Sequence, residues 1–285
     1  MLVREMQETP LKRIKGIASS FIPSELVRHL PNKWEKLGSV VTIKVPDEMN
    51  DYKEIIGKAY AEVLNCKTTL NEIEGISGIY RTPVVEVIFG SPDTETVHVE
   101  NGIRFKVDPQ QIMFSSGNMA ERQRMATISN PDETVVDLFA GIGYFTLPIA
   151  VYSKPKKVIA CEINPIAFKY LSANVVLNHV SSIVEPCFGD NREVAPKDCA
   201  DRVIIGYLHE PQEFLPVAFT CLRNHIGMFH YHELVPVEWI PQQPLSHIEQ
   251  VAKLFDRRVE LVKVNEIKSY APRVNHLVLD VRISE

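Results

Sequence analysis

No stretch of the chain stays apolar for the roughly 20 residues that a membrane-spanning helix requires. The opening segment MLVREMQETPLKRIKG is too charged to read as a secretory signal, so a cytoplasmic protein is expected. Cysteine pairs spaced for metal or redox work are also missing. The five cysteines, Cys66, Cys161, Cys187, Cys199 and Cys221, are scattered, odd in number and include no Cys-x-x-Cys. This argues against a disulfide framework and against a metal site, and leaves buried, reduced thiols. Internal repeats and low-complexity tracts are absent. So is a positive balance, since the net charge is −5. That total says little against a polyanionic partner, because phosphate binding rests on local cationic surface. Residues 1–36 carry seven Lys/Arg (Arg4, Lys12, Arg13, Lys15, Arg28, Lys33, Lys36) against four acids. A basic arm that touches phosphates and a solvated charged face both fit this run.

What is present suffices for two units: 285 residues, 45% of them hydrophobic. FIPSELVRHLPNKWEKLG (21–38) has helical apolar spacing broken by prolines, SVVTIKV (39–45) reads as a strand and YKEIIGKAYAEVLN (52–65) as a helix. GIYRTPVVEVIFG (78–90) suggests strand structure. TVHVENGIRFKVD (96–108) places Asn101-Gly102 between alternating apolar residues, a hairpin with a primed turn. From residue 118 short apolar strands alternate with helical stretches, which predicts a mostly parallel, doubly wound α/β sheet with a ligand crevice at the strand C-termini. The last two strands are expected as an antiparallel edge pair. The expected organisation is a basic arm at 1–19, a small α+β domain at 20–107 and a Rossmann-like catalytic domain at 108–285.

The strongest local signal is VVDLFAGIGYFTLPIA (135–150). A strand ends at Asp137, and Gly141 and Gly143 let the backbone turn tightly against a ligand before a helix starts. A purely structural strand-to-helix turn is the competing reading. The next strand, VIACEI, ends at Glu162, about twenty residues past the glycines, where a carboxylate accepts hydrogen bonds from a ribose diol. The following one delivers Asp190 and Asn191 to the same rim, where a carboxylate and an amide can read adenine; a simple Asx turn competes. His230 and His232 in MFHYHEL fall on one strand face with Tyr231 opposite, and no partner in motif spacing supports a metal. His209 and Glu210 stand at the rim, and no general base is assignable among these residues.

This succession resembles the class I S-adenosylmethionine-dependent transferases rather than dehydrogenases, because Thr146 occupies the last glycine position of a dinucleotide fingerprint. IMFSSGNMAERQRM (112–125), DLFAGIGYFTLPIA (137–150) and KSYAPRVNHLVLDVRI (268–283) together resemble the family of archaeal and eukaryotic tRNA (guanine-N1)-methyltransferases and their wybutosine-pathway aminocarboxypropyltransferase relatives. The methyltransferases of that family carry Asn-x-Pro after the fourth catalytic strand and an arginine in an F-S-P-R-like turn. Here those positions are Gly206-Tyr207-Leu208 and Gly117. The resemblance is therefore nearer to the aminocarboxypropyltransferases, which use the same co-substrate but direct the nucleophile at the methionine Cγ.

It implies transfer of the 3-amino-3-carboxypropyl group of S-adenosylmethionine to 4-demethylwyosine at position 37 of tRNA-Phe, with release of 5′-methylthioadenosine, by a monomer that needs neither membrane nor metal. Guanine-N1 methylation of the same tRNA is the first alternative, and a non-catalytic RNA-binding protein with a vestigial cofactor fold is the second. Co-substrate contacts implied on these motifs are Ser115, Arg122, Asp137, Gly141, Gly143, Glu162, Asp190, Asn191 and Gly206. Ser115 reads equally as a helix N-cap, and Arg122 as an ordinary helix-surface arginine. Lys268 and Arg273, beside SYAP, are candidate RNA contacts, as are Lys12, Arg13 and Lys15.

Overall fold

The computed structural model describes residues 8–78 and 80–285. Arg4, with the rest of the first seven residues of the expected basic arm, lies outside them. The chain forms two compact units: one from the chain up to Val99 with Lys106–Phe114, the other from Glu100–Phe105 with Ser115–Glu285. The expected boundary at 107/108 falls within Lys106–Phe114, and the course of the chain between the units is interleaved.

The first unit carries a four-stranded sheet in the order β1-β2-β3-β4, formed by Glu35–Leu37, Val40–Ile43, Thr68–Ser77 and Thr82–Gly90. β2 and β3 run parallel, which requires a crossover, and the helix Lys53–Leu64 supplies it. That helix buries Ile56, Ala59 and Tyr60 in the same core as Ile14 and Ala18. The last two lie on the helix Pro10–Ala18, started by Thr9 Oγ1 accepting from Lys12 N and by proline at its first position. Residues 10–18 are therefore core-forming rather than an arm. Lys12 and Arg13 remain exposed on their outer face.

The hairpin β5 (Thr96–Glu100) and β6 (Ile103–Val107) follows. Asn101 and Gly102 both take positive φ, 48° and 76°, as a primed turn demands.

The second unit is built on seven strands: β7 (Thr134–Asp137), β8 (Lys157–Glu162), β9 (Val184–Phe188), β10 (Arg202–Ile205), β11 (Gly227–Pro236), β12 (Arg258–Ala271) and β13 (Val274–Ser284). Their order is β12-β13-β11-β10-β7-β8-β9. The five strands from β9 to β11 are parallel, and β13 is antiparallel to both its neighbours. The expected antiparallel edge pair is present: β12 forms the edge, and β13 pairs with it and joins it to β11. Chain order reverses between β7 and β10, which opens a crevice at their C-terminal ends. Val136, Leu138, Val203, Ile205, Phe229 and Tyr231 share one core with the helices Leu215–Cys221 and Gln242–Leu254. Alternation sends Asp137, His230 and His232 to the opposite face.

Candidate active site

At the end of β7, Asp137 is fully buried. Its Oδ2 accepts from Thr146 Oγ1 at 2.8 Å and its Oδ1 from Phe139 N at 3.2 Å, so the carboxyl straps both sides of the turn together. Burial pushes it up to about 6, with Glu162 nearby adding to the rise. Between these straps Gly141 and Gly143 take φ of +57° and +102°. A Cβ at Gly141 would meet the Tyr144 ring at 2.5 Å, and one at Gly143 would meet Leu147 Cγ at 2.7 Å. Glycine is therefore required here on both conformational and steric grounds. Asn174, on the helix Pro165–Leu177, donates from Nδ2 to Ile142 O at 3.0 Å and props the turn from behind.

Glu162 at the end of β8 reaches this turn directly. Its Oε2 accepts from Gly141 N at 2.7 Å and its Oε1 from Asn164 N at 2.7 Å. Burial raises its pKa, against the lowering by those two amides. Asp190 realises the competing Asx-turn reading: its Oδ1 accepts from Arg192 N at 3.0 Å and caps the turn Asn191–Val194. The Arg192 guanidinium also pairs with it and holds its carboxyl below the usual range. Asn191 is buried, and its Nδ2 donates to Leu138 O at 2.9 Å. That bond fixes the amide, and leaves Oδ1 buried with no hydrogen-bond partner.

Beyond β10, Gly206 sits against Phe145, whose Cε2 lies 3.2 Å from where a Cβ would stand. Tyr207 stacks on Phe139, centroids 4.9 Å apart with 11° between the planes, and Phe214 meets both rings edge-on. An aromatic cluster thus occupies the tip of β10, where the resemblance implies Asn-x-Pro for methyl transfer. His209 and Glu210 follow, both exposed.

Arg122 is not a surface arginine. Its side chain is 3% exposed, and Nε and Nη2 each lie 2.6 Å from a carboxylate oxygen of Glu100. Nη1 donates to Ser115 O at 2.8 Å. Its planar fork is filled by Glu100 rather than open toward a ligand carboxylate, so it holds a neighbouring acid and the 115 turn. Nor does the Ser115 side chain cap the turn Ser116–Asn118. Its Oγ instead accepts from Lys268 Nζ at 3.2 Å.

Beneath the rim, β11 carries His230 and His232 on one face, as alternation requires. His230 lies between Asp280 Oδ1 at 2.5 Å and Arg202 Nη1 at 2.7 Å, and burial lowers its pKa. His232 Nδ1 meets His276 Nε2 at 3.1 Å, and its ring lies against Phe145. Glu121 is 1% exposed and held by Arg124, which also bonds Asp280. Among the described residues no group of three or more His, Cys, Asp or Glu is placed to hold a metal.

Of the nine residues named from sequence, Asp137, Gly141, Gly143, Glu162 and Asn191 are linked through the turn after β7, by bonds to it or to its neighbours. Gly206 follows β10, the strand beside β7, and Asp190 follows β9, one strand beyond β8, while Ser115 and Arg122 form a separate cluster with Glu100 and Lys268. Sequence reasoning missed Glu100, Thr146, Asn174 and the Phe139–Tyr207–Phe214 stack. Only Thr146, inside the glycine motif, carried a local signal.

Residues 96–262 match the family described as the TRM5/TYW2 methyltransferase domain, and residues 14–94 match the TYW2 N-terminal domain. A curated relative from Pyrococcus horikoshii, named tRNA(Phe) (4-demethylwyosine(37)-C(7)) aminocarboxypropyltransferase, is 44% identical over 95% of this chain and 96% of its own. The crystal structure of P. horikoshii TYW2 in complex with MeSAdo superposes with a TM-score of 0.86 at 42% identity, covering 96% of this chain and 99% of that one. That of M. jannaschii TYW2 in complex with AdoMet gives a TM-score of 0.74 at 39% identity, covering 89% and 100%. The glycine turn, the sheet order and these likenesses over nearly the full length agree, and the chain belongs to the TRM5/TYW2 family.

Proposed function

We propose that this protein transfers the 3-amino-3-carboxypropyl group of S-adenosylmethionine to 4-demethylwyosine at position 37 of tRNA-Phe and releases 5′-methylthioadenosine. The observation that carries this reading is the tip of β10. Gly206 and the Phe139–Tyr207 stack stand where the resemblance implies Asn-x-Pro for methyl transfer, within a chain 44% identical to a relative named as an aminocarboxypropyltransferase. The residues present fit the co-substrate. The turn through Gly141 and Gly143 leaves backbone rather than side chain at the crevice, and Asn191 Oδ1 is a buried acceptor without a donor.

In this reading Glu162 receives the ribose hydroxyls, already oriented by its bonds from Gly141 N and Asn164 N. Asp190 and Asn191 receive the adenine edge, while Asp137 keeps the turn in shape from inside. Bound there, the co-substrate supplies a sulfonium whose attached carbons are all electrophilic. The protein selects among them by placement of the acceptor carbon, so catalysis is chiefly positioning.

No helix of the described residues is long and apolar enough to cross a membrane. A cytoplasmic monomer is the form in which we propose that it acts, and light scattering of the purified chain tests the second half of that statement. The function itself is tested by incubating precursor tRNA-Phe with S-adenosylmethionine and identifying the small product by mass spectrometry. 5′-Methylthioadenosine supports the reading; S-adenosylhomocysteine with a methylated guanine would mean methyl transfer instead. Unmodified tRNA together with no co-substrate binding would point to an RNA-binding protein.

A further inference from the structure

The pairing of β10 with β11 ends at Ile205 and Tyr231, but β11 runs five residues further, to Pro236. β13 keeps pace beside it, with Val274 opposite Pro236, and β12 ends at Ala271 opposite Val274. At about 3.3 Å per residue these three strands rise about 16 Å beyond the tip of β10, as a wall on the β11 side of the crevice. The crest of the wall is the turn Val237–Trp239 together with the hairpin end 271–274. The two are tied to each other: Val237 N donates to Arg273 O at 3.0 Å, and Arg273 Nη2 lies 3.5 Å from Glu238 Oε2.

This crest is apolar and exposed. Trp239 is 52% exposed, Val237 48%, and Tyr270, beside the hairpin end, 50%. Large apolar side chains left together in water mark a contact surface. The Arg273 side chain is 79% exposed, and its ion pair with the half-exposed Glu238 is screened by water and weak, so its guanidinium can turn to another anion. Aromatic faces beside a guanidinium are the means by which unpaired nucleotides are held. Position also selects this occupant. The acceptor of the proposed reaction is a base in an RNA loop, and to enter the crevice it must leave the stack that it shares with its neighbours, at a cost in stacking energy. A base inserted toward the tip of β10 leaves its sugar and phosphate higher along the wall, and the next nucleotide at the crest.

We propose that the Trp239 indole stacks on the unpaired nucleotide next to the acceptor, in place of the base withdrawn into the crevice, and that Arg273 pairs with the phosphate beside it. The inference rests on the function proposed above and adds to it the surface that holds the opened loop. Stacking on an indole offsets part of the cost of withdrawing the acceptor, because it returns to the neighbouring base the partner that it lost. Every base has a π-face, so the crest steadies the loop without adding a sequence requirement of its own. Identity of the acceptor is then read inside the crevice alone.

The test is steady-state kinetics on precursor tRNA-Phe, with calorimetry of S-adenosylmethionine binding, for Trp239→Leu, Trp239→Phe and Arg273→Gln. Trp239→Leu keeps an apolar side chain but loses the ring, and is expected to raise KM for the tRNA about fivefold or more, the least that a lost base–aromatic stack is worth. Trp239→Phe keeps a ring and is expected to stay within about threefold of wild type. In both, kcat and the affinity for S-adenosylmethionine should stay within about twofold, the mark of lost binding without lost chemistry. Arg273→Gln should flatten the dependence of log tRNA affinity on log salt by about 0.7–0.9, the share of one phosphate; an unaltered slope would remove Arg273 from the contact. Leucine and phenylalanine variants that behave alike would overturn the stack, and an unchanged KM in both would give the crest to a protein partner instead. Loss of S-adenosylmethionine affinity in step with the tRNA would make the crest a support of the fold, and would overturn the proposal as well. Failure of the functional reading gives a different result: wild type would release no 5′-methylthioadenosine, while the tRNA affinities of the variants remain comparable by filter binding.

Discussion

Replacing Arg122 by methionine while Glu100 remains should strongly destabilise the second unit. The two side chains are 3% and 4% exposed and share two hydrogen bonds of 2.6 Å, with a third from Arg122 to the Ser115 carbonyl. Removal of one partner leaves a carboxylate in the interior without compensation, which costs about 3–5 kcal/mol. For a unit of this size each kcal/mol shifts Tm by about 2–4 °C, so the drop should lie between about 6 and 20 °C. Removing both charges, as in Glu100→Leu with Arg122→Met, should recover most of that loss, because no buried charge is then left alone. Denaturant unfolding followed by circular dichroism, analysed as a double-mutant cycle, measures the difference. A single variant that loses less than about 1 kcal/mol, or a double variant as weak as the sum of the singles, would refute the reasoning. The folded double variant also separates two roles. Co-substrate affinity equal to wild type would mean that Arg122 never touches the ligand and acts only by holding Glu100 and the 115 turn.

Three further outcomes follow from the geometry. Asp137 has its carboxyl raised from 3.8 to about 6 by burial, so its protonated form is the one the fold favours. Its contribution is complete below about pH 4 and is lost as pH rises through about 6, about 3 kcal/mol in all. Because Glu121 and Glu162 are raised with the same sign, the measurement is the difference in unfolding free energy between wild type and Asp137→Asn from pH 4 to 8. A flat difference would contradict the assignment. Gly143→Ala must place its Cβ 2.7 Å from Leu147 Cγ at a φ of +102°. It should cost about 1–3 kcal/mol and weaken S-adenosylmethionine binding in calorimetry, and an unaffected turn would show that the backbone there is more permissive than its dihedrals suggest. Gly206→Asn with Leu208→Pro should not create efficient methyl transfer. The asparagine Cβ crowds Phe145 at 3.2 Å, and the orientation of the co-substrate is set elsewhere; abundant S-adenosylhomocysteine from this variant would sink that view.

The sequence exposed those parts of the site that lie close together in the chain. Asp137, Gly141, Gly143 and Thr146 span ten residues, and their strand–turn–helix context follows from local periodicity and glycine placement alone. Glu162 was legible by spacing, since one helix and one strand separate it from the turn. The pairing of Arg122 was not legible, because its partner lies 22 residues upstream in a hairpin, and nothing local distinguishes a paired arginine from an available one. Lys268 and Ser115 are separated by 153 positions and meet only because β12 lies outside β13. In the first unit β3 escaped notice because it buries Thr68, Thr69 and Asn71 in place of an apolar run. Those groups are buried because they are satisfied: Thr69 Oγ1 donates to Gly57 O, and Asn71 Oδ1 accepts from Val45 N. The helix Gln242–Leu254 was missed as well, its start obscured by two prolines at 241 and 244.

The interleaved course of the chain between its units has a consequence for modularity. Glu100–Phe105 belongs to the second unit, although the residues on either side of it belong to the first. A gene fragment that begins at Ser115 would therefore discard Glu100, the acid that pairs with the buried Arg122 guanidinium. Neither a single cut nor a single recombination point can trade this catalytic unit for another. The β5–β6 hairpin gives residues to both units, so no single point in the chain separates them.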